Sequence, residues 1–265
     1  MALETKAGSV LDRIIEARRT AVSHRKRLIP EPVLRMAVSK AEPARDFAAA
    51  LSRDAANVIA ELKKASPSRG VLRKDFDPKL LAPQLEQAGA VALSVLTEEE
   101  FFQGSLKDLR LARAAVAVPL LRKDFMLEPW QVWEARATGA DSFLLIVAAL
   151  SDATLRDLLR LGRDLGMEPL VEVHTREELA RALDAGAHIV GVNNRDLRTM
   201  DVRLETSLEL VADIPDDCIA VSESGVRSAA DIARLRAAGF DAFLIGEHLM
   251  TAPDPAAALR ALLAG

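Results

Sequence analysis

The chain has 265 residues, 50% of them hydrophobic and 28% charged, and a formal net charge of −4. That composition supports a large buried core and gives no basic field for nucleic acid, although a pocket on an acidic protein can still be locally positive. A lone cysteine, Cys218, excludes an internal disulfide, no His or Cys spacing suggests a metal site, and the longest apolar run, Phe143 to Leu150, is too short to span a membrane.

The chain begins with Glu4, Lys6, Asp12 and Arg13 before any long apolar run, which argues against a signal peptide and for a reducing, cytoplasmic setting. Residues 1–55 read as a helical extension, with an amphipathic stretch from Val10 to Leu28 and a short helix over Phe47 to Leu51. The simpler expectation is that this segment plugs the bottom of the fold or pads its flank; the alternative is that it covers a ligand-binding mouth. Eight apolar runs follow, at Val58-Ile-Ala, Val91-Ala-Leu-Ser-Val, Pro119-Leu-Leu, Ser142-Phe-Leu-Leu-Ile, Pro169-Leu-Val-Glu-Val, Ile189-Val-Gly-Val, Cys218-Ile-Ala-Val and Ala242-Phe-Leu-Ile. Continuous apolar runs suit strands of a parallel sheet, buried on both faces.

Between the runs, segments such as Glu177 to Leu183 and Ala230 to Leu235 carry apolar residues three and four apart, the spacing of a helix with one buried face. Thr175 and Ser228 stand where an N-cap hydroxyl would meet orphan amides, with Glu178 and Asp231 three residues on, and Pro78 and Pro129 suit a first helical turn. Gly89, Gly139, Gly186 and Gly239 each precede an apolar run and suit left-handed C-caps. Eight strands alternating with helices predict a single closed (β/α)8 barrel over residues 1–265, an α/β TIM barrel with residues 1–55 as its N-terminal extension. An open dinucleotide-binding sheet would want G-x-G-x-x-G after the first strand, where Glu61 to Gly70 stands instead.

Chemistry in such barrels gathers where the strands end. The exits here carry Glu61, Lys63 and Ser66; Lys123 and Asp124; Glu172; Asn193, Asn194 and Arg195; Glu223, Ser224 and Gly225; Gly246 and Glu247. One charged strand end is usually a solvated rim residue, but convergence of several at one mouth suits proton transfer and anion binding. Glu61 and Lys63, two apart on a strand, face the same side, and Lys64 faces the other. Gly225 and Gly246 suit either tight turns or close approach of backbone amides to a phosphate, with the helix after Ser228 adding its dipole. His24, His174, His188 and His248 have no constellation around them in sequence, and none is given a role.

The run Ile59-Ala-Glu-Leu-Lys-Lys-Ala-Ser-Pro-Ser-Arg-Gly resembles the first-strand signature of indole-3-glycerol phosphate synthases. Leu93-Ser-Val-Leu-Thr-Glu, Phe101-Phe-Gln-Gly-Ser, Leu121-Arg-Lys-Asp-Phe, Leu170-Val-Glu-Val-His, Gly191-Val-Asn-Asn-Arg-Asp-Leu, Ser222-Glu-Ser-Gly-Val and Leu244-Ile-Gly-Glu continue the likeness across the chain. The resemblance implies a lyase of tryptophan biosynthesis that turns 1-(2-carboxyphenylamino)-1-deoxyribulose 5-phosphate into indole-3-glycerol phosphate, carbon dioxide and water, with no cofactor or metal. It further implies that Lys123 is the general acid, that Lys63 binds the substrate carboxylate with Glu61 as partner and base, and that Glu172 stabilises a cationic intermediate or the catalytic lysine. Asn193, Arg195, Glu223 and Ser224 would position the substrate, Phe102, Phe125, Leu144 and Leu197 hold its ring, and Ser66, Gly225, Gly246 and Glu247 its phosphate. A lysine near other cations has its pKa drawn toward neutrality, and an exposed strand-end lysine contributes little to stability, so both are expected of Lys123.

The expected partner is a small phosphorylated substrate, with no nucleic acid or membrane, and the expected state is a monomer, a weak homodimer being the alternative. A phosphoribosylanthranilate isomerase-like barrel is the nearest rival; it would rely on a cysteine and aspartate pair, whereas Cys218 stands ahead of its strand. An inactive barrel that only binds an anion is the other, and it would need fewer buried charges than Lys63, Lys123, Glu61 and Glu172.

Overall fold

In the computed structural model, which describes residues 9–196 and 199–264, eight parallel strands close into a barrel. They are β1 (Asn57–Leu62), β2 (Ala92–Leu96), β3 (Leu120–Lys123), β4 (Ser142–Ile146), β5 (Leu170–Val173), β6 (Ile189–Asn193), β7 (Ile219–Glu223) and β8 (Ala242–Ile245). Strands pair in chain order, and β8 returns to β1 from Asn57–Ala242 to Ala60–Ile245, which leaves no open sheet edge. Each apolar run of the sequence became a strand, with the starts at Ala92, Leu120, Leu170 and Ile219 one residue later than the runs and that at Asn57 one earlier.

Those runs are continuous because both faces are covered. On β1, Val58, Ala60 and Leu62 pack outward against helices, while Ile59 and Glu61 point inward; on β3, Leu120 faces out and Leu121 with Lys123 faces in. The two-residue period therefore splits the interior by height. Ile59, Leu121, Leu144, Leu170, Ile189, Val221 and Ala242 fill the lower layers, each contributing about 1–3 kcal/mol by burial. Further along the strands the inward positions include Glu61, Lys123, Glu172, Asn193 and Glu223 beside apolar Ile146 and Leu244, so the barrel mouth is part charged and part apolar.

The helices are α1 (Val10–Leu28), α2 (Glu31–Val38), α3 (Phe47–Leu51), α4 (Pro78–Gln87), α5 (Leu106–Ala115), α6 (Pro129–Thr138), α7 (Asp152–Asp164), α8 (Arg176–Asp184), α9 (Glu205–Leu210), α10 (Ala229–Ala238), α11 (Glu247–Thr251) and α12 (Pro255–Leu263). Ser228 caps α10 by accepting from the Asp231 amide at 3.2 Å while Asp231 accepts from Ser228 N, a reciprocal box worth roughly 1 kcal/mol. Thr175 caps α8 in the same way, but the Glu178 carboxylate reaches one residue further back, to the His174 amide at 2.7 Å. Gly139 and Gly239 are the left-handed C-caps the sequence suggested, at φ of 98° and 115°.

The N-terminal extension divides into a plug, a pad and a cover. Under the barrel, α3 puts Phe47 and Leu51 against Ile59, Val91 and Ala92, and the Asn57 side-chain amide donates to Leu51 O at 2.7 Å. On the flank, Leu34 of α2 packs with Val22 and Trp130, whose indole N–H donates to Ile29 O at 3.0 Å. The simpler sequence expectation holds for these two pieces and fails for α1. Val10, Leu11 and Ile14 of α1 line the mouth cavity beside Glu61 and Lys123.

A buried charge chain holds α1 there. Arg18, 3% exposed, donates to Asp124 at 2.7 Å, Arg122 bridges Asp124 and Glu134 at 3.0 and 2.9 Å, and Arg25 of α1 meets Glu134 at 2.6 Å. Burial raises the Asp124 pKa, but Arg18 and Arg122 more than offset it and hold that carboxyl below its ordinary value.

Candidate active site

Inward alternation on β3, β5 and β7 brings Lys123, Glu172 and Glu223 to one level of the barrel mouth. The Lys123 ammonium donates to Glu223 Oε2 at 2.5 Å and to Glu172 Oε2 at 2.9 Å. From β1, Lys63 Nζ lies 3.1 Å from Glu61 Oε1, as the two-residue spacing implied. Asn193, on β6, lines the cavity with Glu172 and accepts from the Arg195 amide at 3.0 Å, so it links the level of the acid cluster to the loop that carries Arg195.

Two glycines make this crowding possible. A Cβ on Gly191 would stand 2.1 Å from Glu223 Oε1, and one on Gly246 would stand 2.4 Å from Glu61 Oε1. Gly246 is the single residue that turns the chain from β8 into α11, at a φ of −122° that does not itself require glycine, and the space it leaves is taken by Glu61. The tight-turn reading holds for Gly225, which follows Ser224 into the left-handed region, at φ of 89° and 65°. Gly191 was not among the sequence candidates; a glycine inside an apolar strand was the signal that something approaches closely.

Lys123 corrects both expectations formed for it. Its neighbours are acidic, not basic. Burial pulls the ammonium down, but Glu172, Glu223 and Glu61 outweigh burial and hold it above its ordinary value. Its side chain is 13% exposed and doubly ion-paired, so it is part of the barrel's buried electrostatics rather than a free strand end. Burial, then repulsion from Glu172 and Glu61, pushes the Glu223 carboxyl up to about 7 despite Lys123, and its Oε1 has no hydrogen-bond partner among the described residues. Burial also opposes ionisation of Glu172, yet Lys123 and His174 keep it below its ordinary value. Glu223 is thus poised to take or give a proton near neutrality.

The cavity beyond this cluster has two ends. One is apolar, walled by Phe102, Phe125, Leu144 and Ile146 with the α1 residues above; the Phe102 and Phe125 rings lie 6.2 Å apart at 38°. The other continues past Lys63, Arg195 and Ser224 to Gly225, Gly246, Glu247, Arg69 and Arg227, a lining dominated by cations and backbone. There the Glu247 side chain accepts from Arg69 at 2.6 Å and Arg195 at 3.0 Å. Ser66 joins the first end with a buried Oγ that has no partner among the described residues. Leu197 lies outside the described residues. The sequence missed Val10, Leu11, Ile14 and Arg69, because neither the docking of α1 nor the fold of the loop after β1 follows from local spacing.

Fold and site together define a (β/α)8-barrel enzyme with an acid–base cluster and an anion-binding recess in one cavity. A profile of the family described as indole-3-glycerol phosphate synthase matches residues 11–262, and the chain belongs to that family. An indole-3-glycerol phosphate synthase from Roseiflexus sp. (strain RS-1) is 50% identical over 97% of this chain and 99% of its own. One from Aromatoleum aromaticum (strain DSM 19018 / LMG 30748 / EbN1) is 48% identical over 96% of this chain and 98% of its own. The solved structure of a 3-hexulose-6-phosphate synthase superposes with a TM-score of 0.62 at 16% identity, covering 78% of this chain and 98% of that one, a likeness of fold alone.

Proposed function

We propose that the chain closes the indole ring in tryptophan biosynthesis, converting 1-(2-carboxyphenylamino)-1-deoxyribulose 5-phosphate to indole-3-glycerol phosphate with loss of carbon dioxide and water, in the cytoplasm. The observation that carries the reading is the Lys123 ammonium held between Glu172 and Glu223 in a cavity with an aromatic-lined end and a cationic end. Such a substrate has matching parts: an aryl ring, a carboxylate, a ketone and a phosphate. The ring enters between Phe102, Phe125 and Leu144 under α1, and the phosphate takes the recess of Gly225, Gly246 and the cations around them.

Carbon attack on the ketone leaves charge on its oxygen, and the Lys123 ammonium donates to that oxygen as the bond forms. Exchange of a carboxylate partner for the developing alkoxide keeps the lysine paired throughout. Lys63 holds the substrate carboxylate until it leaves as carbon dioxide, then donates to the departing hydroxyl; Glu61 takes the proton from the carbon next to nitrogen. Glu172 and Glu223 stabilise the cationic ring intermediate, with Asn193, Arg195 and Ser224 fixing the substrate around them.

The test is to give chelator-treated protein the carboxyphenylamino-deoxyribulose phosphate and follow indole absorbance and fluorescence. Product formation is expected without added metal or cofactor. Binding by calorimetry without turnover would overturn the reading in favour of an inactive anion-binding barrel.

A further inference from the structure

We infer that His174 carries solvent protons into the reaction cavity through Glu172, once per turnover; this rests on the proposed ring closure. The need comes from proton balance. One proton goes to the ketone oxygen and a second to the departing hydroxyl, while one is recovered from the carbon next to nitrogen. The carboxylate leaves as neutral carbon dioxide, its bonding electron pair returning to the ring. Each turnover therefore draws one proton from solvent, at a mouth covered by α1 and filled by substrate.

His174 stands where that proton could enter from the side. Glu172 lines the reaction cavity, whereas His174 lines a separate cavity rimmed by exposed Asp12, Thr175 and Asp201. The imidazole Nε2 lies 3.4 Å from Glu172 Oε1, and Glu172 Oε2 in turn accepts from Lys123 at 2.9 Å. That Nε2 is buried and makes no hydrogen bond among the described residues, and Nδ1 lies 3.2 Å from Glu178 Oε2. The result is a continuous line from the second cavity through His174 and Glu172 to the catalytic ammonium.

The surroundings favour a charged ring. Glu172 faces it from β5, Glu178 from α8 and Glu223 from β7, while Asp12 of α1 and Asp196, Asp201 and Arg203 of the segment after β6 share its cavity. Burial lowers the imidazole pKa, but Glu178 and Glu172 outweigh burial and hold it above its ordinary value. Once Lys123 has given its proton to the ketone oxygen, the imidazolium gives its Nε2 proton to the Glu172 carboxylate. The neutral carboxyl so formed turns and hands that same proton to the Lys123 amine, returning to carboxylate. Rotation of the neutral ring then turns the emptied nitrogen to the second cavity, where solvent recharges it. His174 touches no reacting atom; it supplies protons to a group that does.

The experiment compares parent, His174→Ala and His174→Gln across pH, with and without added imidazole. Loss of about tenfold or more in kcat is expected in both variants, with KM changed less than about twofold and the loss growing at high pH. Added imidazole should raise kcat of His174→Ala with concentration and leave the parent unchanged. A variant kcat within about twofold of the parent, or a deficit that is flat with pH and untouched by imidazole, overturns the inference. Should His174→Ala fail to fold by circular dichroism, His174→Gln decides through its pH profile: a fall-off at lower pH than the parent supports the relay and a coincident profile refutes it. Absence of turnover in the parent would overturn the proposed activity and this inference with it.

Discussion

Replacing Lys123 with methionine keeps the length and most of the volume of the side chain, so its cost is charge rather than void. The change removes the partner 2.5 Å from Glu223 and 2.9 Å from Glu172, in a cluster that also contains Glu61. Deleting one side of a buried ion pair costs about 3–5 kcal/mol, because the charge left behind stays desolvated. At roughly 2–4 °C per kcal/mol for a chain near this size, Tm should fall by roughly 6–20 °C. The deficit should also depend on pH. Glu223 already sits at about 7, and without the ammonium Glu172 and Glu61 push it higher. A carboxyl whose folded pKa exceeds its unfolded one contributes stability below the unfolded value and loses it as pH rises through the folded value. The gap from the parent should accordingly be widest above about pH 8 and shrink toward about pH 5.5, where the orphaned carboxyls protonate. Urea and thermal melts across that range measure it, and kcat/KM should drop at least about tenfold, or 1.4 kcal/mol of barrier. A deficit below about 1 kcal/mol at high pH, or one that does not vary with pH, would refute the idea that Lys123 neutralises a buried acid cluster.

Gly191→Ala should destabilise the fold by about 1–3 kcal/mol in urea titrations and lower kcat at least about tenfold, since its Cβ drives Glu223 off Lys123. Adding Glu223→Asp should recover part of the stability by withdrawing the carboxylate; no recovery would place the clash elsewhere. Arg18→Ala leaves Asp124 with Arg122 and Thr97 still bonded, so the cost should fall near the low end, about 3 kcal/mol. With α1 less firmly held, KM should rise more than kcat falls, and a kinetic defect confined to kcat would deny α1 its part in ligand binding.

The barrel was legible because period-two burial writes itself into composition: strands covered on both faces appear as unbroken apolar runs, and left-handed C-caps demand glycine at Gly139 and Gly239. Lys63 with Glu61 followed from the same periodicity. Lys123 was placed correctly and its environment misjudged, because whether a strand-end lysine meets cations or carboxylates depends on residues about 50 and 100 positions away in sequence, at Glu172 and Glu223. The cover made by α1 was hidden for a similar reason. Amphipathicity marks which face of a helix is buried and says nothing of the surface that buries it; that choice rests on Arg18 finding Asp124, a pairing of residues 106 apart. His174 looked isolated in sequence, and Glu178, four residues on, is its partner only because α8 begins there.

The vacancies at Gly191 and Gly246 bear on anyone who would move this chemistry to another scaffold. Glu223 occupies room left by a missing methyl group on the adjoining strand and Glu61 room left by one just past the end of its neighbour, so the functional unit is a carboxylate together with a hole. Grafting the acids alone onto a barrel with alanine or valine at those two places would install the right groups in rotamers pointing the wrong way. For the same reason, the four positions should drift through descent as two linked pairs, each glycine free to change only after its acid has shortened or gone.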